Sequence, residues 1–300
     1  MKKGNGHLKV RRIYTLSRWI GMTLLVSAVS CAAVPENAGE KIPIQYPVVL
    51  VHGILCHDRG DSIDFWGRIP QTLRKRGALV YFGNTDAWGS YKTNALLLKE
   101  SIETILKETG AAKVNIIAHS KGGIDSRYLI WRYDFGDKVA SLTTLSTPHR
   151  GAETADLLAK QKFLYLKPIQ YAIEKYGILY GDIYPDLYAV LDEMTTAHMK
   201  EFNETVIPDD RVYYQSIYTV MHNPFDEALF GYTYTYLKKI SGFSDGIVSE
   251  KSASWGDNPR RIPGSISHSA ITDWKQKSIS GINIPDIYVD IIRRLSRLGF

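Results

Sequence analysis

Ser120 stands in Ala118-His119-Ser120-Lys121-Gly122-Gly123, between an apolar run and a stretch with helical spacing. A strand that turns abruptly into a helix exposes the residue at its tip and demands small residues two positions to either side. Ala118 and Gly122 meet that demand, with Ala118 where the usual pattern has glycine. A serine so placed is suited to attack a carbonyl carbon. Its hydroxyl is a poor nucleophile at neutral pH, so a base must take its proton and an acid must orient that base.

In sheets built around such an elbow, the acid and then the base follow the nucleophile in the chain. Of eight histidines only His149, His198, His222 and His268 follow Ser120. His149, in Thr147-Pro148-His149-Arg150-Gly151, comes too soon to leave room for an acid-bearing strand. His198 and His222 fall in an insertion and just beyond a strand. His268, in a Gly/Ser loop before the last helical stretch, is the expected base. The acid is expected in a loop after a strand, and Asp245 in Ser244-Asp245-Gly246-Ile247-Val248 fits. Asp226, Asp209, Asp210 and Asp257 compete with it, since an aspartate in a turn often serves as a cap. The negative oxygen of a tetrahedral intermediate needs preorganised donors. The backbone N–H groups of Lys121 and of Ile54, in Val51-His52-Gly53-Ile54, are the candidates.

Short apolar runs alternating with amphipathic stretches must hold these groups. Strands are expected at Pro47 to His52, Ala78 to Phe82, Lys113 to Ala118, Val139 to Leu145 and Val212 to Tyr218. Helices are expected at Asp64 to Arg76, Thr93 to Thr109 and after Gly122. This alternation predicts an α/β fold with a mostly parallel sheet flanked by helices. Residues 157–205 interrupt it with an insertion rich in Tyr, Leu and Ile, which reads either as a mobile apolar lid or as helices completing the core.

At these residues the chain resembles the secreted true lipases of bacteria, related to those of Pseudomonas, Burkholderia and Bacillus, within the α/β-hydrolase superfamily. The resemblance rests on VVLVHGI at 48–54, NIIAHSKGGIDSRYLI at 115–130 and VASLTTLSTPHRGAETADLL at 139–158. LDEMTTAHMKEFNE at 191–204, SDGIVSEKSASWG at 244–256 and SISHSAITDW at 265–274 extend it collinearly. It implies a Ser120, Asp245 and His268 triad, an oxyanion hole at Ile54 and Lys121, and a lid in the insertion. Relatives that bind structural calcium use an aspartate two residues after the histidine. Here that place is Ala270, with Asp273 nearby, so no cofactor is expected and calcium is in doubt.

The basic balance belongs to one end of the chain. Six of the 37 lysines and arginines precede residue 31, where no acidic residue occurs, leaving 31 basic against 31 acidic residues beyond it. This argues against a nucleic-acid partner. Lys2 to Arg18, then the apolar run Trp19 to Ser30, read as an export signal over residues 1–31, too short for an ordinary membrane span. Ala28-Val29-Ser30-Cys31 resembles a lipobox without its usual leucine. The expectation is a secreted or periplasmic protein, or one attached to the cell envelope through lipidated Cys31. Residues 32–45 read as a linker and 46–300 as the hydrolase domain, expected as a monomer. Only Cys31 and Cys56 occur, so no disulfide framework is read.

The expected activity is hydrolysis of carboxylic esters, lipid esters above all. A short-chain carboxylesterase is one alternative. Another is a non-catalytic surface lipoprotein that binds lipid or a host partner.

Overall fold

The computed structural model describes residues 39–55, 57 and 65–300. The expected export signal over residues 1–31 with Cys31, the first half of the expected linker (32–38), and Cys56 lie outside the described residues.

The chain runs β1 (Val48–Val51), α1 (Ile69–Lys75), β2 (Val80–Phe82), α2 (Tyr91–Thr109), β3 (Val114–His119), α3 (Lys121–Arg132) and β4 (Val139–Leu145). Four helices follow: α4 (Glu153–Ala159), α5 (Lys167–Leu179), α6 (Leu187–Glu193) and α7 (Thr196–Thr205). The remainder is β5 (Tyr213–Tyr218), α8 (Gly231–Ile240), α9 (Glu250–Ala253), β6 (Pro259–Arg261) and α10 (Ile284–Arg297). The strands form one sheet in the order β2-β1-β3-β4-β5-β6, and every pairing is parallel.

Strand residues alternate between faces, so the two sides of the sheet bury different helices. Val48, Leu50, Ile117, Leu145 and Ile217 join α1 and α10 in one core cluster. Val49, Val51, Ile116, Ala118 and Leu142 join α2 and α3 in the other. The full burial of Ile287, Ile291, Ile292 and Leu295 along one stripe of α10 explains why that stretch is a helix. Each such side chain contributes roughly 1.5–3 kcal/mol of transfer free energy. Ser90 caps α2 by accepting from the Thr93 N–H, and Gly110 in a left-handed conformation ends it.

The insertion divides in two. Leu187, Val190 and Leu191 of α6 and Met199 and Phe202 of α7 are buried, the last two in a cluster with Tyr91 and Ile124. Upstream, Phe163, Leu166, Tyr171, Tyr176 and Leu179 are exposed. One half thus completes the core while the other presents apolar surface. Carboxylates fasten the insertion to the segment that runs from the loop after β2 to the start of α2. Asp182 accepts from the N–H groups of Ala87 and Trp88, Asp86 accepts from the Tyr184 N–H, and Glu193 accepts from the Tyr91 N–H.

Candidate active site

A parallel sheet delivers its loops to the carboxyl ends of its strands, where ligands of such folds bind. Ala118 pairs with Val51 of β1 and Thr144 of β4, so the loops leaving β1, β3 and β4 emerge side by side. Ser120, directly after β3, has φ 55° and ψ −130°. A non-glycine residue held there costs on the order of 1–3 kcal/mol. The turn is fixed by the Ser120 N–H donating to Leu145 O at 2.9 Å and by Thr147 Oγ1 donating to Ser120 O at 2.8 Å.

The small residues have a steric reason. A Cβ on Gly53 would sit 2.7 Å from Ser120 Cβ, and one on Gly122 would sit 2.7 Å from Val51 O. The loop carrying Ile54 therefore packs directly against the serine, and the start of α3 directly against the chain leaving β1.

The structure brings Ser120, His268 and Asp245 together. His268 Nε2 lies 2.9 Å from Ser120 Oγ, and His268 Nδ1 lies 2.8 Å from Asp245 Oδ2. Asp245 is buried, and its Oδ1 accepts from the N–H groups of Ile247 and Val248 at 3.0 and 2.8 Å. The carboxylate can only accept, so the His268 proton resides on Nδ1 and Nε2 is free to accept from the serine hydroxyl. The main chain repeats the link, because the His268 N–H donates to Asp245 O at 2.9 Å.

Ile54 leaves the β1 loop beside Ser120, and Lys121 begins α3, where N–H groups have no intrahelical acceptor. His52 braces the first of these loops, with Nδ1 2.7 Å from Gly53 O and Nε2 3.2 Å from Thr85 Oγ1. Below the second, the Lys121 ammonium is buried against Asp125 at 2.7 Å, and Asn94 donates to the other Asp125 oxygen at 2.8 Å. Burial pushes the Asp125 carboxyl up, opposed by Lys121. It also pushes Glu193 up to about 7, again opposed by Lys121. This buried ionic network was not foreseen, although Lys121 and Asp125 stand at the i, i+4 spacing of a helical ion pair.

Four of the competing residues, His149, His198, Asp209 and Asp226, are engaged elsewhere. His149 is buried, stacked on Trp255 at 4.4 Å and bonded to Thr144 Oγ1 at 2.9 Å. His198 pairs with Asp192, and Asp209 with Arg211. Asp226 accepts from the Ser265 hydroxyl and from the N–H groups of Asn223 and His222, which together hold its carboxyl below the usual range despite desolvation.

The residues after His268 do not fit a calcium ion. Ala270 offers no ligand, and both Asp273 oxygens accept from Arg68, whose Nε and Nη2 lie at 2.8 and 2.6 Å. Among the described residues no three His, Cys, Asp or Glu side chains converge on one point.

Sheet order, strained serine and elbow define the α/β-hydrolase fold. Residues 47–190 match the family model described as palmitoyl protein thioesterase. A triacylglycerol lipase of Burkholderia plantarii is 34% identical over 197 residues, covering 61% of this chain and 52% of the relative. One from Vibrio cholerae is 40% identical over 114 residues, covering 38% of this chain and 36% of the relative. The chain thus spans about half the length, or less, of these curated relatives. The Staphylococcus hyicus lipase structure superposes with TM-score 0.68 at 18% identity, covering 87% of this chain and 98% of that one. Bacillus licheniformis lipase in its mature form gives TM-score 0.63 at 22% identity, with 84% and 94% covered. The chain therefore has the α/β-hydrolase fold and is similar in sequence to bacterial triacylglycerol lipases.

Proposed function

We propose that the protein hydrolyses carboxylic esters through an acyl-enzyme, with lipid esters as its substrates. The observation that carries this reading is the unbroken relay from Ser120 Oγ through His268 to the buried Asp245 carboxylate. His268 Nε2 takes the Ser120 proton as Oγ attacks the ester carbonyl, and the oxyanion is met by the N–H groups of Ile54 and Lys121. The alcohol leaves with the proton returned by His268. Water, deprotonated by the same nitrogen, then attacks the acyl carbon and releases the acid. Asp245 holds the imidazole and stabilises its charged form. No cofactor enters.

The exposed aromatic and aliphatic side chains from Phe163 to Leu179 support a water-insoluble substrate, because such a surface loses water when it meets lipid. The basic and apolar N-terminal pattern supports export, with Cys31 as the place for a lipid anchor. No helix among the described residues is long and apolar enough to cross a membrane. The match to a thioesterase model favours a second reading, in which the same acyl-enzyme forms from a thioester.

Hydrolysis of p-nitrophenyl esters from short to long acyl chains, beside an acyl thioester and a triacylglycerol emulsion, tests these readings. Faster turnover of long-chain esters and a gain on the emulsion support the lipase reading. A preference for soluble short-chain esters favours an esterase, and a preference for the thioester favours the second reading. A folded protein inert towards all of them contradicts the proposal and leaves a binding role.

A further inference from the structure

His119, the last residue of β3, touches the candidate base from a side that the reaction does not use. It is buried, and its Nε2 lies 2.9 Å from the backbone carbonyl oxygen of His268. A carbonyl only accepts, so His119 carries its proton on Nε2. Its Nδ1 is then a bare lone pair, buried and without a hydrogen-bond partner. The ring lies 4.7 Å from the His268 ring, inclined at 48°, and 5.7 Å from Phe65. The His268 main chain is thereby held at both ends, its N–H by Asp245 O and its C=O by His119.

We propose that His119 is a positioning residue for His268, fixing the backbone and ring of the base so that Nε2 stays within reach of Ser120 Oγ. A burial cost points the same way. An unpaired buried acceptor destabilises a fold, and a phenylalanine would fill the space without it. What phenylalanine lacks is the N–H that reaches the His268 carbonyl. Neutrality also matters, because the titratable groups around His119 are His268, which becomes imidazolium during the reaction, His52 from the β1 loop, and Asp245 beyond His268. A second cation would oppose the first. Burial and the neighbouring His268 hold the His119 ring well below the usual imidazole range, so it stays neutral while His268 cycles.

The inference rests on the ester-hydrolase reading, and its test separates the two. Ester hydrolysis, thermal unfolding and pH–rate profiles are measured for the wild type and for Ser120→Ala, His119→Phe, His119→Gln and His119→Asn. Glutamine places an amide N–H where Nε2 stands; asparagine places one where Nδ1 stands. His119→Phe and His119→Asn are expected to lose kcat on the order of 10- to 100-fold at little-changed KM, as a displaced base would. His119→Gln is expected to stay within about threefold of wild type, as positioning through that one N–H requires. Full kcat in His119→Phe, with only the unfolding temperature altered, would overturn the proposal. Equal losses in His119→Gln and His119→Asn would overturn it as well, and that comparison decides the matter if the phenylalanine variant does not fold. Activity surviving in Ser120→Ala would instead sink the hydrolase reading itself.

Discussion

Asp245 Oδ2 lies 2.8 Å from His268 Nδ1, while Asp245 Oδ1 is held by two backbone N–H groups of its own loop. The carboxylate is therefore fixed before it meets the imidazole, and the imidazole tautomer follows from it. Asp245→Asn keeps the shape but presents an N–H to Nδ1, favouring the tautomer with its proton on Nε2. A loss of kcat on the order of 10⁴-fold is expected, with the unfolding transition little moved. Steady-state kinetics on a p-nitrophenyl ester check this, and a variant within tenfold of wild type would remove Asp245 from its assigned role.

Close approach at the elbow gives a stability prediction. Gly122→Ala drives a methyl group against the backbone oxygens of Val51 and His52, so the start of α3 must shift. Overpacking of this kind costs about 1–3 kcal/mol. Chemical denaturation should show that loss, with a drop in kcat, because the Lys121 N–H moves with the helix.

Arg68 and Asp273 yield a prediction about metals. The guanidinium takes both carboxylate oxygens and ties the segment after His268 to the start of α1. Chelators should leave activity and unfolding temperature unchanged. Asp273→Ala should cost about 3 kcal/mol, the lower end for breaking a buried pair, since Arg68 is partly exposed. Stabilisation of the wild type by added calcium would contradict this.

Glu193 makes stability depend on pH. Its folded value of about 7 stands above its ordinary 4.5 because burial disfavours the ionised form. The fold binds this proton more tightly than the unfolded chain does. Stability from Glu193 is thus fully present below pH 4.5 and lost as pH rises through about 7. At 1.36 kcal/mol per unit, the wild type should lose roughly 3 kcal/mol relative to Glu193→Gln between pH 4.5 and 8. Urea titrations of both proteins across that range measure it, and parallel curves would exclude Glu193 as the source.

The exposed apolar half of the insertion can be tested apart from the chemistry. Tyr171→Ser combined with Leu179→Ser removes little buried contact, so the unfolding temperature should hold. Activity on a soluble short-chain ester should be kept while activity on an emulsion falls several-fold. Equal activity on both substrates would assign those side chains no part at an interface.

Much of this was legible in the sequence because the central strands β1, β3 and β4 bury both faces. The apolar runs at 47–52, 78–82, 113–118, 139–145 and 212–218 each contain or overlap a strand, with ends shifted by no more than two residues. Edge strand β6 escaped notice because Pro259–Arg261 contains no residue of an apolar run. Ser120, Asp245 and His268 could be proposed from elbow chemistry, chain order and turn residues. The contact of His119 with a carbonyl 149 positions away could not, since only the tertiary fold brings them together. The same holds for Arg68 on Asp273 and for the carboxylates that fasten the insertion. The i, i+4 pair of Lys121 and Asp125 was visible as spacing, but its burial was not.

The most direct test of the central claim is ester hydrolysis by the wild type beside Ser120→Ala, with a phosphonate ester probe located by mass spectrometry. The account predicts hydrolysis and a single adduct on Ser120 in the wild type, and neither in the variant. Hydrolysis that persists in Ser120→Ala, or an adduct on another residue, would contradict it.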